Sequence, residues 1–434
     1  MTDRHVGRDR QRLTATVTDV TVDRQRALLI ALAGDRTMGA AQASLDELEL
    51  LTDTAGSDTV ERAIQRRDTP DPATYIGKGK AKELAGVGKA LDIDVVVVDG
   101  ELSPVQQRNL QEIFGVDVVD RVALILDIFA QHATSRAGMA QVELAMSRYR
   151  LPRLRGKGTE LSRLGGGIGT RGPGETKLET DRRRVLDRIS QLERELDGLK
   201  TIRDTQRKAR RRAEMPTAAL VGYTNAGKSS LLNTLTGAGV LVEDRLFSTL
   251  DATVRRLDLP SGRLALLSDT VGFVRELPHM LVEAFRSTLE EATDTDVLVH
   301  VVDASADDPD GQIAAVRSTL AEIGAAGAEE LLVLNKIDVA RPEAVTRLMN
   351  LNPGAIAVSA RTAEGIPALV AALDEALTPE TVDIELLVPF ERGDVVAFVH
   401  DVAEILSEGH EAEGTRIKAR VPVKHSGAVS RFVA

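Results

Sequence analysis

Cysteine is absent from this sequence of 434 residues, which removes disulfides, thiolate metal sites and a thiol nucleophile together. No apolar run reaches the roughly eighteen residues that a membrane-spanning helix needs. The opening residues MTDRHVGRDRQR are charged where a secretory signal requires an apolar stretch, so a cytoplasmic location without membrane attachment is expected. Histidine is sparse: His132 and His400 stand alone and read as packing residues, and no Ser, His and Asp arrangement stands out. A bound transition metal is therefore not expected. The formal net charge of -11 is mild for this length and argues against a surface uniformly coated for nucleic acid. Any RNA contact must come from local patches.

What is present is an ordinary globular balance, 43% hydrophobic and 28% charged, on a chain too long for one core. Arginine far outnumbers lysine over an acidic background, a balance of salt-adapted or GC-rich organisms, and a halophilic, archaeal source is expected. Residues 1–120 alternate strand-like and helix-like segments: RALLIALAG, TVERAIQ, DVVVVDG and VDVVD as strands, AQASLDELELLTDT, KAKELAGVGKALD and LSPVQQRNLQEIF as helices. Ser103 and Pro104 open the last of these helices as N-cap and first residue. Such alternation predicts a small parallel α/β domain.

Residues 121–213 predict a long antiparallel helical hairpin, its first helix broken near Gly138 and its tip a glycine-rich loop at 156–174. In the second helix Val185, Ile189, Leu192, Leu196, Leu199 and Ile202 recur at spacings of three and four, as in a coiled-coil seam. Strand and helix alternation returns over 214–378. There AALVG, LALLSD, DVLVHVVDA, LLVLN and AIAVSA read as strands buried on both faces of a doubly wound sheet. Residues 382–434 predict a small α+β module of strand, helix and strand, in VDIELLVPF, VVAFVHDVAEILSE and TRIKARVP.

Gly222, Tyr223, Thr224, Asn225, Ala226, Gly227, Lys228 and Ser229 spell a phosphate loop, GYTNAGKS, between a strand and a helix. Its glycines let backbone N–H groups and the helix start face phosphates. Lys228 is placed for the β and γ phosphates and Ser229 for magnesium. A tight strand-to-helix turn is the bland alternative for this motif alone. Three further pieces follow in order. Asp269, Thr270, Val271 and Gly272 end a strand, with Asp269 holding magnesium through water and the Gly272 N–H near the γ phosphate. Asn335, Lys336, Ile337 and Asp338 end another, with the Asp338 carboxylate accepting from guanine N1 and N2 and the Lys336 stem packing on the base. Ser359 and Ala360 form a turn whose N–H groups can reach guanine O6.

Between the loop and the second switch, Phe247, Ser248, Thr249, Leu250 and Asp251 are expected to line the nucleotide. Thr249 is the favoured ligand completing the magnesium shell; Thr253 reads equally as an ordinary strand residue. Lys228, Thr249 and Gly272 are thus the residues expected to act on the γ phosphate. Phe273 stands where Ras-like proteins carry a water-orienting glutamine, so slow intrinsic hydrolysis, stimulated by a partner, is expected. Asn225 offers a potassium site beside the phosphates, with a solvent-facing loop residue as the alternative.

These residues resemble the HflX family of translation-factor-related GTPases. Besides GYTNAGKS, LFSTLDATVRR and DTVGF, the resemblance rests on TYIGKGKAKEL, DGELSPVQQRNL, DIFAQHATSRAGMAQVELA, YRLPRL and GGGIGTRGPGETKLETDRRR, and it covers about residues 15–378. It implies GTP hydrolysis with magnesium, binding of a monomer to the large ribosomal subunit and its rRNA in the GTP state, and a role in splitting ribosomes under stress. A subunit-assembly GTPase is the alternative. The resemblance also implies that the glycine-rich tip reaches ribosomal RNA, and the residues agree. Six glycines from Gly165 to Gly174 leave backbone accessible, while Arg171, Lys177 and Arg182 to Arg184 supply charge, as does the cluster of Lys208 with Arg210 to Arg212. Lys78, Lys80 and Lys82 read either as RNA contacts or as a helix-entry turn.

Overall fold

The computed structural model describes residues 24–34, 38–154, 173–212, 215–237, 246–247, 253–275, 292–293, 295–325, 327–378 and 381–434. Two compact units result, one of residues 1–131 with 146–188 and one of residues 132–145 with 189–434.

The first unit carries a parallel sheet of order β2-β1-β3-β4, from strands β1 (Gln25–Ala33), β2 (Ser57–Arg66), β3 (Val95–Asp99) and β4 (Asp117–Asp120). Helices α1 (Met38–Thr54), α2 (Lys78–Ala90) and α3 (Pro104–Phe114) alternate with the strands. Every residue of β3, VVVVD, is buried, as an apolar run covered on both faces should be. Ser103 starts α3 through a capping box: its Oγ accepts from Gln106 N at 3.2 Å and Gln106 Oε1 accepts from Ser103 N at 2.9 Å. At α2, Gly77 with φ of 83° precedes Lys78, so the glycine and lysine run there is a helix entry. Between α1 and β3 the buried Arg121 guanidinium bonds Asp99 Oδ1 at 2.9 Å and also pairs with Glu47.

The helical stretch after β4 breaks earlier than the glycine suggested. Helix α4 (Arg121–His132) ends, and α5 (Arg136–Arg153) begins behind Ser135, whose Oγ accepts from Gly138 N at 2.9 Å. Ser135 therefore supplies the cap, and Gly138 lies in the first turn. The long helix α6 (Pro173–Arg212) buries Ile189 and Leu192 of the expected seam. Of the glycine-rich tip, Pro173 and Gly174 open α6, and residues 156–172 lie outside the described residues.

The second unit carries a six-stranded sheet of order β10-β9-β8-β5-β7-β6. Its strands are β5 (Thr217–Gly222), β6 (Thr253–Asp258), β7 (Leu264–Asp269), β8 (Val297–Asp303), β9 (Glu329–Asn335) and β10 (Ile356–Ala357). All pairs are parallel except β6 with β7. Alternation along β5 feeds both faces: Ala218 and Leu220 join one core with Leu231, Val299 and Leu369, while Ala219 and Val221 join another with Phe273, Leu298 and Val316. Each leucine, valine or phenylalanine among them contributes about 1.5–3 kcal/mol when fully buried. Helices α7 (Lys228–Thr236), α8 (Pro309–Glu322), α9 (Pro342–Leu351) and α10 (Ile366–Ala376) link the strands.

Two details depart from the sequence reading. The segment AIAVSA contributes only Ile356 and Ala357 as strand, because Ser359 N turns to donate to Glu364 O at 2.9 Å. The C-terminal module has three antiparallel strands, β11 (Thr381–Val388), β12 (Glu404–Glu411) and β13 (Gly414–Pro422), ordered β11-β13-β12, with α11 (Gly393–Val402) and α12 (Val423–Val429). The helix expected to run on through EILSE stops at Val402, since Ala403 is extended. Its core gathers Leu386, Val388, Val399, Ile417, Ala419 and Val421.

Candidate nucleotide site

Gly222 ends β5 at the point where the sheet order changes direction, since β5 is followed in the chain by strands on one side and then the other. Open parallel sheets hold ligands in this crevice. A Cβ on Gly222, whose φ is 150°, would fall 2.2 Å from Val301 O, so only glycine lets the loop leave the strand here. Asn225 is exposed with φ of 57°, a left-handed conformation that asparagine tolerates. Gly227 is left-handed as well and precedes α7, whose first residues are Lys228 and Ser229. Ala226 is buried in the core beneath.

Lys228 folds over this loop, its Nζ donating to Gly222 O at 3.1 Å and Tyr223 O at 2.9 Å. Burial lowers its pKa to about 8, and the nearby Asp269 carboxylate opposes that shift. Ser229 Oγ donates to Asp269 Oδ2 at 2.7 Å, which brings the hydroxyl and carboxylate expected around magnesium together in a buried position. Both are hard oxygen donors of the kind magnesium selects.

The second switch is stitched to the loop through its backbone. Thr224 N donates to Phe273 O at 2.7 Å, and Phe273 N to Gly222 O at 3.1 Å. A side chain on Gly272 has no room, since a Cβ would lie 2.7 Å from Thr224 Cγ2 and 3.2 Å from Lys228 Nζ. Thr270 is fully buried and donates through Oγ1 to Leu220 O at 2.7 Å, so its hydroxyl ties β7 to β5. Val271 is buried beside it. The Phe273 ring sits in the core with Val221, Tyr223 and Leu298, away from any position where it could meet water.

At the other end, Asn335 bridges two loops: its Nδ2 donates to Ala226 O at 2.8 Å and its Oδ1 accepts from Ala360 N at 3.0 Å. The Asp338 carboxylate accepts from Ser359 Oγ at 2.7 Å and pairs with Arg361 Nη2 at 2.5 Å. The Ser359 hydroxyl, with Arg361 assisting, holds its pKa below the usual carboxylate range. Lys336, at φ of 64°, pairs with Asp303 Oδ2 at 2.7 Å, and Ile337 N donates to Val358 O at 3.3 Å. Backbone N–H groups of Ser359 and Ala360 were expected to face guanine O6; the first donates to Glu364 O and the second to Asn335 Oδ1. The role of Ser359 here runs through its hydroxyl on Asp338.

Of the first switch, Phe247 is buried with φ of 58°, while Ser248, Thr249, Leu250 and Asp251 lie outside the described residues. Thr253 opens β6 opposite Asp269, which realises the strand reading of that residue. Sequence reasoning missed Asp303 and Arg361 as the ion-pair partners of Lys336 and Asp338. Their signals are faint: an aspartate at the end of β8 and an arginine directly after the Ser-Ala pair. It also missed the buried His300, whose Nδ1 lies 2.6 Å from Glu330 Oε1 and whose pKa burial lowers. Among the described residues no helix is long and apolar enough to cross a membrane.

Three family models match in succession: residues 42–130 one described as GTP-binding GTPase N-terminal, residues 132–210 one described as GTP-binding GTPase middle region, and residues 217–336 one described as 50S ribosome-binding GTPase. The chain is also similar over most of its length to proteins named GTPase HflX. That of Caldanaerobacter subterraneus subsp. tengcongensis is 44% identical over 411 residues, 95% of this chain and 94% of the relative. That of Lacrimispora saccharolytica is 46% identical over 399 residues, 92% of this chain and 94% of the relative. The relative from Escherichia coli is 42% identical over 382 residues, 87% and 90% respectively.

Proposed function

This chain belongs to the HflX family of GTPases, and from that premise we propose that it is a GTP-driven switch that binds the large ribosomal subunit in its GTP state and splits or recycles ribosomes under stress. The observation that supports the nucleotide reading best is the meeting of Lys228, Ser229 and Asp269 with the second switch at the carboxyl end of β5. The match of residues 217–336 to a 50S ribosome-binding GTPase supports the ribosome as partner.

In this reading backbone N–H groups of Gly222 to Ser229 cradle the phosphates and Lys228 leaves the loop carbonyls for the β and γ oxygens. Ser229, Asp269 and Thr249 would hold magnesium, which would supply positive charge to offset that of the phosphates. Asp338 takes the N1 and N2 protons of guanine, and Lys336 supports the base. For O6 to be read as well, the Ala360 N–H must turn from Asn335 to the base.

Phe273 cannot orient water from the core, so intrinsic turnover is slow and rises when ribosomal contacts order the switches. Asn225, exposed in the loop, would hold a potassium ion, which would supply positive charge as an arginine finger does elsewhere. Equal turnover in potassium and sodium removes that element. The glycine-rich segment 156–174 and its flanking arginines supply the rRNA contact.

Cosedimentation with purified large subunits tests the switch directly. Binding with a nonhydrolysable GTP analogue should exceed binding with GDP, and hydrolysis should accelerate on adding subunits. Equal binding in both states would rule the switch out.

A further inference from the structure

Thr224 carries a hydroxyl that no described residue bonds. The residue is 7% exposed, and its Oγ1 has no hydrogen-bond partner among the described residues. Leaving a hydroxyl buried and unpaired costs about 1–3 kcal/mol. The neighbouring threonine of the second switch shows the ordinary solution, since Thr270 Oγ1 is bonded to Leu220 O. A valine at position 224 would fill the same space without that cost.

The surroundings place the residue beside the lysine and the second switch. Thr224 lies in the phosphate loop, and its backbone N–H is fixed on Phe273 O at 2.7 Å. Its Cα and Cγ2 press on Gly272: a Cβ placed there would be 2.9 Å and 2.7 Å from them, and 3.2 Å from Lys228 Nζ. Thr224, the lysine ammonium and the second switch therefore converge on one small volume. Of the three phosphates of a bound nucleotide, only the terminal one meets both the phosphate-loop lysine and the second switch.

We infer that the Thr224 hydroxyl donates a hydrogen bond to a γ-phosphate oxygen of bound GTP, which makes Thr224 a determinant of the discrimination between GTP and GDP. The assignment rests on the guanine-nucleotide reading of this site and adds to it a side chain that senses the third phosphate. It fits the neighbourhood chemically: a neutral donor can approach a phosphate oxygen closely beside the lysine, and hydrogen bonds to charged acceptors are the stronger kind. It also gives the loop a γ-directed side-chain contact where the second switch has Phe273 turned into the core.

The test is calorimetry on the full chain with magnesium, titrating a nonhydrolysable GTP analogue and GDP into wild type, Thr224→Val and Thr224→Ser. Thr224→Val should lose about tenfold in affinity for the analogue while GDP affinity stays within about twofold, the scale of one charge-assisted hydrogen bond. Thr224→Ser, which keeps the hydroxyl, should retain the wild-type ratio of the two affinities. Equal losses for both nucleotides in Thr224→Val, or no loss for either, would overturn the assignment; so would a serine variant that behaves like valine. Failure of the underlying reading looks different, because wild type would then bind ATP as tightly as GTP whatever stands at position 224.

Discussion

The side-chain amide of Asn335 donates to the Ala226 carbonyl at 2.8 Å, tying the end of β9 to the phosphate loop. Its oxygen accepts from Ala360 N at 3.0 Å, so one buried residue fixes both the loop that holds Ala226 and the turn at Ser359 and Ala360. Asn335→Ala strands a buried carbonyl and an N–H, at about 1–3 kcal/mol each. Chemical denaturation should show a loss on that scale, and nucleotide affinity should fall for GTP and GDP alike. An unchanged denaturation midpoint would contradict the bridging role.

Lys228 predicts how nucleotide affinity depends on pH. Its pKa in the protein, about 8, lies below the ordinary lysine value because the ammonium is buried. Below about pH 8 the lysine is charged with or without nucleotide, and affinity does not depend on it. Above that pH the free protein loses the proton and phosphate must restore it, so affinity falls as pH rises. The sign for folding is opposite: between about pH 8 and 10.5 the unfolded chain binds more protons, so nucleotide-free stability rises relative to Lys228→Met. Calorimetry with GDP at about pH 7 and 9 should show weaker binding and proton uptake at the higher value. Tighter binding at the higher pH would refute it.

Phe273→Gln separates a missing catalytic group from a structural ring. The ring is 1% exposed among Tyr223, Leu298 and Val316, so glutamine there buries an amide in a hydrocarbon core. A loss of about 3–5 kcal/mol is expected, with no gain in hydrolysis. A stable variant with faster turnover would show that this side chain reaches the nucleotide.

In the first unit, Arg121→Met leaves Glu47 and Asp99 buried without their cation. Removing one member of a buried ion pair costs about 3–5 kcal/mol. Thermal or urea unfolding measures this, and a loss within the range of surface substitutions would mean that water reaches the cluster.

The parts of the site that read clearly from the sequence are local. The loop GYTNAGKS needs its glycines where φ is left-handed or where Val301 crowds the backbone, and Ser103 with Gln106 spells its own cap. What could not be read depends on which strands lie side by side. The Thr270 hydroxyl meets Leu220 because β7 runs beside β5. The pairing of Lys336 with Asp303 follows from the register of β8 and β9, in which Asp303 faces Asn335. Residues 404–408 read as the end of a helix in isolation and join a strand because β13 offers them a ladder.

The central claim is that Asp338 reads guanine, and calorimetry with GTP, ATP and XTP on wild type and Asp338→Asn tests it most directly. Wild type should prefer GTP over ATP by about a hundredfold or more, since the Asp338 carboxylate left facing adenine loses both hydrogen bonds. Asp338→Asn should release GTP and gain XTP, because its amide can donate to the xanthine C2 carbonyl. Wild type holding ATP as firmly as GTP, or a variant that keeps GTP unchanged, would contradict the account.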